Sequence, residues 1–284
     1  MLGAIIGDMV GSRYEFNDTN KPTSKTLKLI DLENRMTDDS YLTLAVGKVL
    51  NKYYPFKFTE EEKEQIQRDL KLEFKSMVSK HETAGFGQGF YFWSKENIDN
   101  MKPYNSCGNG SAMRISSVGW YARTLDEVKY LSKIVTEITH NHEEGLKGAE
   151  AIALCIFMAR NGFTKEEIEL YMEAYYYPRI KTIDYDLWVK NYQTNLLCQN
   201  SVPEAIYCFL ISNSLEDAIV KAVCLGGDSD TIAAMAGSIA EAYYNKDNVS
   251  NIEEKYMDFC IEDEYLDIIK QMHKNIGSTK FLKK

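Results

Sequence analysis

The segment DSDTIAAMAGSIAEAYY, residues 228–244, indicates most directly which fold this chain adopts. Its apolar residues recur at helical spacing, and two carboxylates and two hydroxyls stand at its beginning. A second segment, TDDSYLTLAVGKVL at residues 37–50, has the same construction. We therefore predict two apolar helices, each of which begins with an oxygen-rich cluster, at residues 37–40 and 228–231.

Helical signals also recur outside these two segments, whereas the alternating pattern typical of strands is absent. Pairs of the capping-box type open several segments, namely Thr59 with Glu62, Thr124 with Glu127, Thr164 with Glu167 and, more weakly, Ser214 with Asp217. Apolar spacing over 151–158 predicts a helix that ends at Asn161 and Gly162. The stretch 203–224 is also predicted to be helical, with Pro203 in its first turn.

The chain as a whole is predicted to be all-α, with about ten or more helices of typical length. It has no Pro- or Ser-rich linker and no repeat of fixed period, so we expect one domain over residues 1–284. A hydrophobic content of 44% and a charged content of 26% are those of an ordinary globular protein.

The charge and hydropathy of the chain disfavour some classes of partner, and its cysteines indicate a cellular location. The net charge of −9 makes nucleic acid an unlikely partner and helps to concentrate divalent cations. No apolar run approaches the ~20 residues that span a bilayer, and residues 1–9 do not resemble a signal peptide. The six cysteines form no C-x-x-C pair, so we expect buried thiols and a cytoplasmic location.

Two interpretations are open for the oxygen-rich clusters. Asp, Ser and Thr are preferred helix N-caps, because a side-chain oxygen accepts a bond from a free backbone N–H. One oxygen suffices for that purpose, however, so Asp38 beside Asp39, and Asp228 near Asp230, add charge that capping does not need. Oxygen ligands without Cys or His are preferred by Mg²⁺ and Mn²⁺. We favour a pair of such ions, which usually means an enzyme acting on an oxygen-rich substrate.

Five stretches together resemble one known family. They are GDMVGSRYE at 7–15, TDD at 37–39, GNGSAMR at 108–114, THNH at 139–142 and GGDSDT at 226–231. Their order and spacing are similar to those of the ADP-ribosylglycohydrolases. The resemblance implies a compact all-α fold that holds two Mg²⁺ (or Mn²⁺) ions. It also implies hydrolysis of the bond between ADP-ribose and an acceptor, such as an arginine or serine side chain of an ADP-ribosylated protein or a small molecule, with ADP-ribose as product.

The same resemblance assigns the metal ligands and the catalytic residues. The metal ligands are Thr37, Asp38, Asp39, Asp228, Asp230 and Thr231, and the catalytic residues are Glu15, Asp38 and Asp39. Glu15 would transfer a proton near the metal site, although an isolated glutamate would ordinarily be an exposed acid. Asp8 is expected to orient a neighbour by hydrogen bonding instead of binding metal directly.

The resemblance also assigns the residues that contact ADP-ribose, which are Gly87, Asn105, Ser106, Gly108, Asn109, Gly110, His142 and Ser229. Residues 105–110 would form a phosphate-binding loop followed by a helix whose dipole favours anions, with a simple tight turn as the alternative. For His140 we expect a surface or N-cap role. No Cys or third His stands at ligand spacing from the two histidines, so zinc is excluded.

Adenine recognition and the entrance of the site are less clearly defined by the sequence. The places where relatives stack adenine on aromatic rings correspond to Met101 and Cys107, and Tyr104, Phe92 or Trp93 are candidate substitutes. The polar segment 14–36 is predicted to be a loop that covers the site. Two rival functions stay open, an ADP-ribose reader without turnover and a dinuclear phosphohydrolase.

Overall fold

The computed structural model describes residues 1–17, 21–178, 180 and 184–281. Within these ranges the chain forms fifteen α-helices and one short 3-10 helix at Ile98–Asn100, and it contains no strand. The single bridge of β type pairs Gly108 with Leu197 in antiparallel orientation. The predicted all-α class is therefore confirmed.

The α-helices follow one another in this order: α1 Leu2–Gly11, α2 Asp38–Tyr53, α3 Glu60–Lys80, α4 Gln88–Lys95, α5 Gly110–Met113, α6 Ser116–Tyr121, α7 Leu125–Thr136, α8 Glu143–Arg160, α9 Lys165–Tyr175, α10 Tyr185–Asn191, α11 Cys198–Leu210, α12 Leu215–Leu225, α13 Ser229–Tyr244, α14 Asn251–Phe259 and α15 Asp263–Asn275. Helix α13 is central, since it contacts α1, α2, α5, α6, α8, α11 and α12. The helix that the opening segment predicts thus lies in the middle of the core.

Local capping signals locate several helix starts correctly. The side chains of Thr59, Thr124, Thr164 and Ser214 each accept a hydrogen bond from the backbone N–H three residues later, at 3.0–3.2 Å. Each bond satisfies one of the N–H groups that a first helical turn leaves without a partner. These four residues are the N-caps of α3, α7, α9 and α12, as predicted.

The stretch 203–224 is helical, as predicted, but the prediction that Pro203 lies in a first turn was wrong. The stretch contains α11 and α12, which residues 211–214 separate. Helix α11 begins at Cys198, whose N–H donates to the Cys107 carbonyl at 3.0 Å, so Pro203 lies in the second turn and not the first. There the proline has no N–H to donate to the carbonyl of Gln199. A tertiary contact therefore sets the start of this helix.

Helices α1 and α13 approach each other so closely that side chains cannot fit between them. A Cβ atom added to Gly3 would lie 2.3 Å from the Gly237 carbonyl oxygen, and one added to Gly7 would lie 2.1 Å from that of Ala233. At Gly11 the added atom would meet the Asp230 Cα at 2.4 Å. The three glycines share one helix face because they are four residues apart. The end of α1 is thereby fixed against the first turn of α13.

The three cysteines that were predicted to lie in apolar helical segments are found in α8, α11 and α12. Cys155, Cys208 and Cys224 are free and buried, as predicted. Among the described residues, no helix is both long enough and apolar enough to cross a membrane.

Candidate active site

A cavity of about 390 Å³ lies where the first turns of α2 and α13 meet. Ten of the predicted site residues line it: Glu15, Asp38, Asp39, Gly87, Ser106, Gly108, Asn109, Gly110, Asp228 and Thr231. The predicted residues that do not line it are Thr37, Asn105, His142, Ser229 and Asp230. Two clusters that are about 190 residues apart in sequence thus share one cavity.

Asp8 organises the first turn of α2 through its buried carboxylate. Its Oδ1 accepts from the Thr37 hydroxyl at 2.6 Å, and its Oδ2 accepts from the backbone N–H groups of Thr37 at 2.9 Å and Ser40 at 3.1 Å. The Ser40 hydroxyl donates to the same oxygen. Four donors on one carboxylate agree with the predicted orienting role. Thr37 is the N-cap of α2, and its hydroxyl is directed toward Asp8.

The start of α13 comes close to α2 because two glycines precede it. Gly226 has a φ of 88° and Gly227 a φ of 70°, values that favour glycine. The Thr231 hydroxyl then donates to Asp39 Oδ2 at 3.1 Å, which joins the two clusters directly. Asp39 Oδ1 is buried and has no hydrogen-bond partner in the described part of the chain. This free carboxylate oxygen lies in a position to bind a cation.

Carboxylates crowd together around Asp230. One oxygen each from Asp8, Asp39 and Asp230 lie within 4.8 Å of one another, and the same is true of Glu15, Asp228 and Asp230. Burial, followed by the charges of neighbouring carboxylates, raises the pKa of Asp38, Asp39 and Asp230 well above the ordinary value. Such an arrangement of like charges is expensive unless cations neutralise it. Its donor atoms are all oxygen, so the residues present fit hard divalent ions such as Mg²⁺ or Mn²⁺.

Glu15 lies beside this group, at the beginning of the segment that follows α1. The adjacent backbone is fixed, since the Phe16 N–H donates to the Gly227 carbonyl at 2.7 Å. Burial, together with the charges of Asp228 and Asp8, raises the pKa of Glu15 to about 7. Its carboxyl group can therefore accept or donate a proton near neutral pH.

The segment 14–36, predicted to be a loop over the site, contains turns and no helix within 14–17 and 21–36, while 18–20 lie outside the described residues. Arg13, just before it, forms ion pairs with Asp31 and Glu33 at 3.0 Å each. Lys21 donates to the carbonyl of Leu225 at 3.0 Å, next to the glycine pair. These contacts attach the loop to the body of the protein beside the second carboxylate cluster.

The glycine loop at 105–110 forms the opposite wall of the cavity. Asn109 donates from its side chain to Asp228 Oδ2 and to Ser201 Oγ, which links the loop to α13 and α11. Asn105 has a positive φ of 55°. The helix that follows the loop, α5, has only four residues. Its dipole is correspondingly small, so the predicted help from a following helix is weaker than expected.

The two histidines occupy the opposite places from those predicted. His142 is the N-cap of α8, and its Nδ1 accepts the Glu144 N–H at 3.1 Å. His140, predicted to be at the surface or to be a cap, is 4% exposed and lines the cavity. The start of α8 explains the difference. Because the helix begins at Glu143, His142 is its N-cap, and His140 lies in the segment before the helix. His140 therefore lines this cavity, whereas His142 does not.

Of the other residues predicted to contact a ligand, some lie outside the cavity and one lines it. The Ser229 hydroxyl is buried and donates to the Gly11 carbonyl at 3.0 Å, so it joins α13 to α1. Tyr104 is the candidate adenine contact that lines the cavity, whereas Met101 is buried in the core. Arg114 also lines the cavity and was not predicted as a site residue.

Comparison with known proteins identifies the family. The model of the ADP-ribosylglycohydrolase family matches residues 1–275. This chain therefore belongs to the ADP-ribosylglycohydrolases, a family of hydrolases, and the resemblance seen in the sequence is confirmed.

Individual relatives agree with this assignment. The chain is 29% identical to ADP-ribosylhydrolase ARH3 of Homo sapiens, over 95% of this chain and 90% of the relative. It is 28% identical to ADP-ribosylarginine hydrolase Tri1 of Pseudomonas putida (strain GB-1), over 54% of this chain and 43% of that protein. A solved structure named ADP-ribosylglycohydrolase-related protein complex has the same fold, with a TM-score of 0.66 and 18% identity over 98% of this chain and 97% of the other.

Proposed function

We propose that this protein hydrolyses the bond between the anomeric carbon of ADP-ribose and an acceptor, with two Mg²⁺ (or Mn²⁺) ions as cofactors. The observation that carries the proposal is the group of carboxylates around Asp230, which are buried except for the half-buried Glu15 and which adjoin the cavity. The family to which the chain belongs is one of hydrolases. A reader of ADP-ribose would need a binding cavity but no acid with a pKa near 7 beside it.

The proposed cation ligands are Asp38, Asp39, Asp228 and Asp230, with Thr37 and Thr231 as neutral oxygen donors. Asp39 Oδ1 supports this assignment, because it is buried and has no partner among the described groups. Bound divalent ions supply positive charge that holds sugar hydroxyls and acidifies water. Asp8 holds the first turn of α2 in place for these ligands, through its bonds to Thr37 and Ser40.

Glu15 is proposed as the group that moves the proton. When the bond from the anomeric carbon breaks, positive charge develops on the ribose, and the nearby carboxylates Asp38 and Asp39 stabilise it. The incoming water loses a proton to Glu15, or the leaving acceptor gains one from it. A carboxyl group with a pKa of about 7 suits either transfer at neutral pH.

The diphosphate of ADP-ribose is proposed to lie along the glycine loop. Ser106, Gly108, Asn109 and Gly110 line that side of the cavity, and Gly87 lies across from them. The geometry adds His140 and Tyr104 to these proposed contacts. Asn105, His142 and Ser229 keep the backbone or the helix starts in place around the ligand.

The acceptor is proposed to be an amino-acid side chain of an ADP-ribosylated protein or a small-molecule equivalent. One relative is named for ADP-ribosylarginine, so arginine is the first acceptor to test. The net charge of −9 gives little attraction for nucleic acid. Free buried thiols such as Cys155 and Cys208 support a proposed cytoplasmic location.

The test is to incubate the protein with ADP-ribosyl-arginine and ADP-ribosyl-serine peptides in Mg²⁺, in Mn²⁺ and in EDTA. We expect free ADP-ribose in the presence of a cation, and a loss of at least 100-fold in Asp38→Ala, of the order that removal of a key electrostatic group causes. Asp247→Asn, at an exposed position, is the control and should retain full activity. Binding of ADP-ribose without release from any peptide would favour a reader, and release of inorganic phosphate would favour a phosphohydrolase.

A further inference from the structure

Arg114 is a buried arginine with no carboxylate in ion-pair contact among the described residues, although the charge of Asp38 acts on it. It is 1% exposed, and no salt bridge joins it to a carboxylate in the described residues. Its guanidinium carbon lies 4.8 Å from the ring centroid of Phe74 and 5.5 Å from that of Phe90. Burying a guanidinium is costly unless its hydrogen bonds and charge are used. The hydrogen bond that its guanidinium makes among the described residues therefore indicates one role for it.

That contact leads through a threonine to the cavity. Arg114 Nη2 lies 2.7 Å from Thr139 Oγ1, and the same oxygen lies 2.7 Å from His140 Nδ1. The carbonyl of Thr136 is farther from it, at 3.5 Å. An arginine can only donate, so the threonine oxygen accepts from Arg114 and its own proton is free for another acceptor. The nearer acceptor is His140 Nδ1.

The short distance to Nδ1, compared with that to the Thr136 carbonyl, favours one tautomer of His140. When Nδ1 accepts a hydrogen bond from the Thr139 hydroxyl, the neutral ring carries its own proton on Nε2. Burial, together with the positive charge of Arg114, lowers the pKa of His140 well below its ordinary value, which keeps the ring uncharged. Nε2 faces the glycine loop, since a Cβ atom added to Gly110 would lie 3.5 Å from it and one added to Gly108 would lie 3.8 Å from it.

We propose that Arg114 and Thr139 are positioning residues that hold His140 as an uncharged Nε2–H donor directed at the glycine loop, where the donor binds a phosphate oxygen of the ligand. The identity of that ligand, the diphosphate of ADP-ribose, rests on the proposed function, whereas the tautomer does not. Without the threonine proton, the ring would be free to place its hydrogen on Nδ1 and present a bare, repulsive nitrogen to the phosphate.

The experiment compares Thr139→Val, which removes the hydroxyl that joins Arg114 to His140, with Thr139→Ser, which keeps it. Thr136→Val is the matched control, because its buried hydroxyl has no hydrogen-bond partner among the described residues. Long-range ¹H–¹⁵N correlation on ¹⁵N-histidine protein reports which ring nitrogen carries the proton, with His140→Gln assigning the signal among the four histidines. Calorimetry gives the Kd of each variant for ADP-ribose, ADP and adenosine.

We expect the wild type, Thr139→Ser and Thr136→Val to show the Nε2–H tautomer, and Thr139→Val to lose it. In Thr139→Val the Kd for ADP-ribose and for ADP should rise about tenfold or more, as for loss of a hydrogen bond to a charged group. The Kd for adenosine should stay within about twofold, since no phosphate is present.

An Nδ1–H tautomer in the wild type, or equal losses for ADP and adenosine in Thr139→Val, would overturn the proposal. If wild-type protein bound neither ADP-ribose nor ADP, the proposed function would fail together with the ligand assigned to His140. The tautomer measurement would then still show whether the Thr139 hydroxyl sets the tautomer of His140, so the two failures are distinguishable.

Discussion

Glu15 is the residue whose chemistry depends most on its surroundings. In water a glutamate is ionised at neutral pH, but burial and the charges of Asp228 and Asp8 bring its pKa to about 7. This shift is a property of the assembled site, because Asp228 is more than 200 residues away in the chain. Glu15 lies four positions after the end of α1, so its raised pKa depends on α13 being docked beside it.

Replacing Glu15 by Gln should lower kcat by about 10²–10⁴-fold, the range for loss of a general acid or base. The amide cannot exchange a proton with water or with the leaving group, whereas its size is nearly unchanged. Single-turnover release of ADP-ribose measures the effect, and equilibrium binding of ADP-ribose should be retained. Glu254→Gln, the same change at an exposed acid of α14, should leave the rate unaltered, and an equal loss there would contradict a specific role for Glu15.

Asp230 belongs to both groups of close carboxylates. Its charge should therefore lower the stability of the protein without cations and raise it when cations are bound. In EDTA, Asp230→Asn should unfold at the same or a higher temperature than the wild type, because one buried negative charge is removed. In Mg²⁺ the wild type should gain about 2.7 kcal/mol at 100 times Kd, and the variant should gain much less. Calorimetric melting in both media measures this, with Asp247→Asn as control. An undiminished gain in the variant would mean that Asp230 binds no cation.

At the scale of elements, the closest backbone contact is that of α1 with α13. Gly7→Ala would place a methyl group 2.1 Å from the Ala233 carbonyl oxygen, so the helices would have to separate. We expect a loss of about 3 kcal/mol or more in the free energy of unfolding, at the upper end for overpacking. Urea denaturation measures it.

Gly89→Ala is the control for this prediction. Gly89 lies in α4, and its added Cβ would meet only the Tyr104 ring at an ordinary 3.5 Å. This variant should be as stable as the wild type or gain up to about 1 kcal/mol from helix propensity. Equal stabilities for the two alanine variants would show that the contact between α1 and α13 can relax.

Helix α11 carries a buried acid that the proposed reaction does not use. Glu204 is 6% exposed, lies at a second cavity of about 680 Å³ between α10 and α11, and its Oε2 has no hydrogen-bond partner in the described ranges. Burial raises the pKa of Glu204 to about 8. The folded protein therefore keeps a proton that the unfolded chain loses between its ordinary pKa of 4.5 and about 8.

It follows that Glu204 lowers stability as the pH rises through this window, because the folded state binds more protons there. Glu204→Gln cannot ionise, so its stability relative to the wild type should increase by a few kcal/mol from pH 5 to pH 8. Urea unfolding at several pH values measures the difference. The exposed Glu254 gives the control variant Glu254→Gln, which should follow the wild type. A constant difference for Glu204→Gln would contradict the raised pKa.

Local signals allowed much of the fold to be predicted from the sequence, whereas tertiary contacts decide what was missed. The N-caps Thr59, Thr124 and Thr164 depend on residues three positions away, so they are visible in the sequence. Residues 211–214 interrupt an apolar pattern that continues on both sides, and only the contact of Cys198 with Cys107 shows where α11 starts. The carboxylate clusters are local motifs and were found for that reason.

The roles of His140 and His142 could not be separated in the same way. Both residues follow Thr139 within a few positions, and either can cap a helix or enter a cavity. The choice depends on the residue at which α8 begins and on the buried Arg114 beneath it. The residue that would have given the signal is Thr139, whose hydroxyl joins Arg114 to His140.

At the scale of the whole molecule, the last described turns are attached to the central helix. Lys280 is buried and its Nζ lies 2.7 Å from Glu241 of α13 and 2.6 Å from Glu253 of α14. Burial raises the pKa of Glu241, whereas the charge of Lys280 and those of other nearby positive groups lower it, and the pKa lies below its ordinary value. We propose that the chain is a single domain, which this attachment and the central position of α13 support.

Lys280→Met should therefore weaken the entire molecule. The variant leaves two buried carboxylates without their shared cation, and breaking a buried ion pair costs about 3–5 kcal/mol. Urea unfolding followed by circular dichroism and by tryptophan fluorescence should give one shared transition at lower denaturant. Lys274→Met, an exposed position, should change little, and two separate transitions would contradict a single domain.

The three glycines of α1 also determine where this protein can change during evolution. Gly11 contacts the backbone of Ser229 and Asp230, and Gly3 and Gly7 hold the rest of α1 against α13, so substitutions at these positions would shift α13 and the carboxylates at its start. Phe16, Gln88 and Leu196 line the cavity without taking part in that contact. A library randomised at these three positions would therefore vary the proposed acceptor contacts while leaving the proposed hydrolytic centre unchanged.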